Sequence, residues 1–156
     1  MAMHINNDGF SLVELLVVIA VLGILTMIAV PSYLGQQKRA ARTEAFSNLE
    51  NLRLLEEQYF ADRGSYVPNK GNAGANHPEN IALIQNNTNQ DGLPNFKPGD
   101  ASSLNYSYEI RQDANITSQG ANSTATPCFL AIATGNTNGR GAGDSFMVDC
   151  NNQRNF

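Results

Sequence analysis

Apolar and polar positions are spread very unevenly along this chain. Residues 10–30 read FSLVELLVVIAVLGILTMIAV, apolar throughout except for Ser11, Glu14, Gly23 and Thr26. A helix rises about 1.5 Å per residue, so this run reaches about 30 Å, the thickness of one bilayer core. Beyond Pro31 the pattern changes. Ala41, Ala45, Leu49, Leu52, Leu55 and Tyr59 recur at steps of three and four, which is one apolar stripe along a helix. Arg39, Arg42, Glu50, Arg53 and Glu57 fall on the other faces, where solvation is the ordinary role. "ADRGSYVP" closes the helix, with Gly64 as its C-cap and Pro68 soon after. Tyr59, Phe60 and Tyr66 are placed to anchor the following segment to the helix end.

Residues 65–103 are polar and punctuated by Pro78, Pro94 and Pro98, and their one apolar cluster, "IALI" at 81–84, suits a short helix. Three strand patterns follow. "LNYSYEI" alternates Leu104, Tyr106, Tyr108 and Ile110 with polar residues, "CFLAIAT" from Cys128 reads as a buried strand, and "SFMVDC" ends at Cys150. The Gly-rich "GNTNGRGAG" between the last two favours an antiparallel hairpin. The expected fold class is α+β. A long N-terminal α-helix, membrane-spanning in its first half, packs on a small antiparallel β-sheet head at 104–156.

Composition narrows the function. The chain has 156 residues and a net charge of −4. From Ser65 onward, five Lys/Arg face seven Asp/Glu, and no basic run is long enough for general nucleic-acid binding. Two cysteines late in a small head, Cys128 and Cys150, suit one disulfide made outside the cytoplasm. The chain has too few Cys and His for a zinc site. His4 and His77 stand beside no nucleophile, so no enzyme is expected. "NTNQDG" at 87–92 begins like a calcium loop, but Pro98 occupies the place of the closing Glu. Asp144 and Asp149, flanking the last strand, are a weaker calcium pair. Asn105, Asn115 and Asn122 lie in N-x-[ST] sequons. "GNTNGRGAG" lacks the Lys-Ser/Thr of a phosphate-binding loop. No cofactor and no metal is expected.

Glu14 is the anomaly, because a carboxylate at mid-membrane costs roughly 3 kcal/mol, and less near the interface. "SLVE" is S-x-x-E, a capping box in which Ser11 and Glu14 satisfy free N–H groups at a helix start. That motif can hold without explaining the charge. A secretory signal peptide is the plain alternative for the whole segment. Against it, residues 1–9 contain no Lys or Arg, the apolar run is long, and helical patterning continues past it.

"GFSLVELLVVIAVLGILTMIAVPSYLGQQKRA" resembles the N-terminal signature of type IV pilins and related pseudopilins. The shared features are a short polar leader ending in Gly9, then Phe10, then Glu14 as the fifth residue after the break. A long apolar helix containing Gly23 and Pro31 follows. The resemblance is close over about the first 60 residues and only architectural over the head. It implies that a prepilin peptidase cuts between Gly9 and Phe10 on the cytoplasmic side and methylates the new Phe10 amine. Gly9 suits close backbone approach by the peptidase. The new amine is cationic at neutral pH. In a filament, Glu14 of one subunit can meet the Phe10 amine of its neighbour, so two costly charges neutralise each other. Removing one partner should then hurt more than removing both.

The resemblance further implies a pilin-like division: leader at 1–9, membrane and filament-core helix at 10–31, amphipathic helix at 32–64, loop at 65–103 and disulfide-bounded head at 104–156. Gly23 and Pro31 would mark where the helix bends or unwinds on packing. A Cys128–Cys150 bond would close a loop of 22 residues, worth roughly 3 kcal/mol by loop entropy. The implied partners are other pilin subunits, the peptidase and an inner-membrane assembly platform. The implied location is the inner membrane, single-pass, and then the extracellular filament. Lys38, Arg39 and Arg42 lie just past the span, where the positive-inside rule alone would keep the head in the cytoplasm; the resemblance gives the reverse orientation. Three readings follow: a type IV pilus subunit serving adhesion, motility or surface interaction; a type II secretion pseudopilin; and a minor pilin for adhesion or DNA uptake. Such pseudopilin heads usually lack a terminal cysteine pair, and the acidic head disfavours a DNA binder.

Overall fold

The structure, a computed structural model, describes residues 10–71, 77–100, 103–114, 116 and 127–156. It falls into two compact units, one ending at Gln37 and one running from Lys38 to Phe156.

A single helix, α1 (Leu12–Arg63), takes in both of the helical stretches expected from sequence. Along the apolar run every residue is exposed, so nothing in this unit gives that surface a partner. The Thr26 hydroxyl donates back to the carbonyls of Leu22 and Gly23, both at 3.0 Å, which satisfies a polar group within an apolar stretch. Pro31 lies inside α1 and has no N–H for the Met27 carbonyl.

In the second unit the expected stripe is the buried face of α1. Ala41, Ala45, Leu49 and Leu52 are buried, while Leu55 and Tyr59 are half-buried. Asn48 and Glu56 share that face and are buried too. Gly64 ends the helix at φ +73°, a conformation that favours glycine, and its N–H returns to the Phe60 carbonyl at 2.7 Å. Phe60 stacks on Tyr66, and Tyr66 meets Phe129, which ties the helix end to the sheet as the sequence implied.

The sheet is antiparallel in the order β1 (Tyr106–Gln112), β2 (Phe129–Gly135), β3 (Ser145–Asp149). β1 begins later and runs further than the alternation suggests. Its ladder reaches Gln112 opposite Phe129, and Leu104 packs in the core ahead of it. β2 is apolar on both faces. Phe129, Ala131 and Ala133 join the core against α1, with Ala131 opposite Ile110 and Val148, and Ala133 opposite Tyr108 and Phe146. Small residues on the central strand leave room for these larger neighbours. Leu130 and Ile132 point the other way and pack with Ala114, Ile116 and Met147.

The loop after α1 is more structured than its polar sequence suggests. Lys70 pairs through its backbone with Ile110. α2 (His77–Gln85) forms where "IALI" predicts a helix, and Ile81 and Ile84 are buried beside Leu93 and Phe96. Cys128 and Cys150 form the expected disulfide, with Cα atoms 5.3 Å apart. Past it, the C-terminal residues fold back. Arg154 bridges Val148 through the backbone and reaches Glu50 at 2.7 Å. Phe156 stacks on Phe46 with ring centroids 4.3 Å apart.

Candidate functional site

The candidate site starts where α1 starts. Phe10 precedes the helix and is 90% exposed. Ser11 caps the helix and Glu14 closes the box. Glu14 N–H donates to Ser11 Oγ at 3.2 Å, while Ser11 N–H and its hydroxyl both donate to Glu14 Oε2, at 3.0 and 2.8 Å. The second oxygen of Glu14, Oε1, has no partner among the described residues. The carboxylate is therefore held in place by its own turn and keeps one face open to an incoming donor. Gly9, the expected residue before the cut, and the rest of the 1–9 leader lie outside the described residues. Gly23 has open space around its α-carbon, so closer approach of another helix there meets no side chain of this chain.

The head holds its other charged candidates in structural roles. Asp144 takes a bidentate pair from Arg42, at 2.9 and 3.0 Å, a bond from the Tyr106 hydroxyl at 3.2 Å, and lies 3.5 Å from Lys38. These donors, Arg42 foremost, hold its carboxyl below the usual range. Burial, then the Asp144 charge, pushes the Tyr106 hydroxyl up to about 12. Asp149 is fully buried, and its side chain accepts the N–H groups of Ile116, Asn151 and Gln153. Asp144 and Asp149 thus both fasten turns in this structure. Among the described residues no cluster of acidic, His or Cys side chains is arranged for a metal. In the 87–92 loop, Asn87 accepts the Gly92 N–H at 3.2 Å, closing a polar turn. Asn105 is bound through its side chain and N–H to Glu44. Asn115, Asn122 and His4, and the His77 side chain, lie outside the described residues.

Asn48 and Glu56 are among the buried polar groups that the sequence reading missed. Asn48 donates to the Tyr108 hydroxyl at 2.8 Å. Glu56 has no exposed surface; one oxygen accepts the Val67 N–H at 3.0 Å and the other has no hydrogen-bond partner among the described residues. Burial pushes its carboxyl up to about 8, so it is largely protonated at neutral pH. The signal was available: both residues sit at helical spacing from Ala45, Leu49 and Leu52, on the apolar stripe itself.

Residues 5–30 match the family described as the prokaryotic N-terminal methylation motif. The chain is 38% identical over 61 residues to the type IV major pilin protein PilA of Myxococcus xanthus, an alignment covering 39% of this chain and 28% of that one. To the type IV wide pilus major component PilA4 of Thermus thermophilus it is 38% identical over 65 residues, 42% of this chain and 50% of the relative. The type II secretion system core protein G of Pectobacterium carotovorum is 36% identical over 61 residues, 39% of either chain. No solved structure gives a significant match. These matches support the type IV pilin family, and the likeness is carried by the N-terminal part of the chain. It spans half or less of the length of these relatives.

Proposed function

We propose that this chain is a structural, non-catalytic subunit of a type IV pilus. The reading is that a prepilin peptidase cleaves between Gly9 and Phe10 and methylates Phe10. The chain then waits in the inner membrane on its 10–31 helix and is polymerised by an assembly platform into an extracellular filament. The observation that carries this reading is the N-terminal motif itself: an apolar helix with no covering partner, begun by exposed Phe10 and interrupted only near its start by a carboxylate. In this reading Glu14 receives the Phe10 amine of a neighbouring copy, and Gly23 and Pro31 let the helix adjust as copies pack. The test is the mass and N-terminal residue of protein sheared from cells. An N-methylated Phe10 start supports the reading; a start near Ser32 would establish signal-peptide cleavage and overturn it.

Likeness to a type II secretion core protein keeps a second reading, a pseudopilin serving protein export. The disulfide-bounded C-terminal region favours the pilus. Recovery of the protein only from the cell envelope, with none in sheared surface filaments, would favour the pseudopilin.

A further inference from the structure

Three of the chain's ten Lys/Arg, Lys38, Arg39 and Arg42, fall within five residues, beginning seven residues past Pro31. In the proposed orientation they lie on the exported side of the span, where cations near a membrane are disfavoured during insertion. Such a placement calls for a compensating role.

Folding carries a fourth cation to this end of the head. The β2–β3 turn at 136–144 is fastened to this part of α1 by Asp144, which binds Arg42 and Lys38. Asn105, gripped by Glu44, meets the Arg140 N–H at 3.4 Å in the same turn. Asp144 is one carboxylate shared between two cations, whose side chains remain 46% and 43% exposed. Arg39 and Arg140 are exposed and have no acidic partner among the described residues. Glu44 is the other carboxylate at this end and is engaged by Asn105, so four cations face two carboxylates, Glu44 and Asp144, and the positive excess is local in an otherwise acidic head.

We propose that Lys38, Arg39, Arg42 and Arg140 dock the head on anionic phospholipid headgroups while the subunit waits in the membrane. The inference rests on the reading of 10–31 as a span with an exported head. Seven residues of helix rise about 10 Å, and the headgroup layer beyond the hydrocarbon is about 5–8 Å thick. Lys and Arg side chains are long enough to cover the difference. Guanidinium pairs bidentately with phosphate oxygens, and Lys adds a point charge. Carboxylates of a second copy are the competing occupant. Chain connectivity favours lipid, because it keeps these cations beside the headgroups at every moment before assembly.

The lysines make this testable, because the chain has only three: Lys38, Lys70 and Lys97. Lys97 is exposed, lies outside the cluster and serves as the internal reference. The full chain is reconstituted into phosphatidylcholine vesicles with or without phosphatidylglycerol. It is then acylated with a membrane-impermeant amine reagent, and the Lys38-to-Lys97 labelling ratio is read by mass spectrometry. A basic side chain at an anionic surface gains about fivefold in binding, so the ratio should fall several-fold with phosphatidylglycerol. High salt should restore it, and the double variant Arg39→Gln, Arg140→Gln should blunt the fall. An unchanged ratio in chain that stays with the vesicles overturns the docking alone. A ratio that follows protein density and not lipid charge overturns it in favour of a second copy. A chain stripped from the vesicles by alkaline washing overturns the span reading and the docking together.

Discussion

Glu56 shows how one side chain can set the pH response of the head. Its carboxyl is fully buried against Val67, with the Glu57 charge adding to the effect of burial, and titrates at about 8 against an ordinary 4.5. The folded state therefore binds the proton more tightly than the unfolded one. The stability this contributes is complete below about 4.5 and is lost as pH rises toward about 8, at up to about 1.4 kcal/mol per unit. Thermal unfolding of the detergent-solubilised chain between pH 5 and pH 8 should show this decline, and Glu56→Gln should flatten it. A variant with the same slope as the parent would mean that Glu56 is ionised in the folded head. Glu56 and Glu57 look alike as letters; only the helical step from Leu49 and Leu52 separates them, and only packing shows that the site tolerates a carboxyl.

Helix and strand patterns were legible because each is carried by local spacing. The stripe from Ala41 to Leu52, the Gly64 cap, the "IALI" helix and the alternation from Tyr106 to Ile110 all depend on near neighbours in the chain. What spacing cannot carry is contact between distant segments. Arg42 and Asp144 are 102 positions apart, and nothing near either residue announces the pair. The C-terminal strap is the same kind of feature. β3 is an edge strand, and its outward amides at Met147 and Asp149 donate to Asn155 and Gln153 of that strap, at 2.7 and 3.1 Å. Such cover keeps an edge from pairing with another chain. A chain ending at Asn151 should exchange the Met147 and Asp149 amide hydrogens faster, with the amides of β2 little changed. Equal exchange at all of them would show that the strap contributes no protection. Replacing Cys128 and Cys150 together by Ala should cost the head roughly 3 kcal/mol in denaturant unfolding, and an unaltered midpoint would contradict a stabilising role for the bridge.

The whole chain joins two solutions to the problem of apolar surface. The head buries its own, between the second half of α1 and the sheet, while every residue of the apolar run at 10–30 is exposed and, on the proposed reading, is left to membrane or to other copies. The N-terminal signature was legible from sequence in full, because it is contiguous and each of its parts has a separate physical reason. The proposed partner of Glu14 was not, because a group on another molecule has no place in the pattern of this sequence. The central claim is that Glu14 serves assembly, and Glu14→Ala tests it most directly when surface filament yield is measured beside the amount of cleaved protein in the inner membrane. The variant removes an insertion cost, leaves Gly9 and Phe10 in place and does not touch the head, so cleaved, disulfide-bonded protein should accumulate at normal levels. Filaments should be lost, because the Phe10 amine would enter an apolar core unpaired, at a cost of several kcal/mol. Filaments at the parent's yield would contradict the pairing and reduce Ser11 and Glu14 to a helix cap.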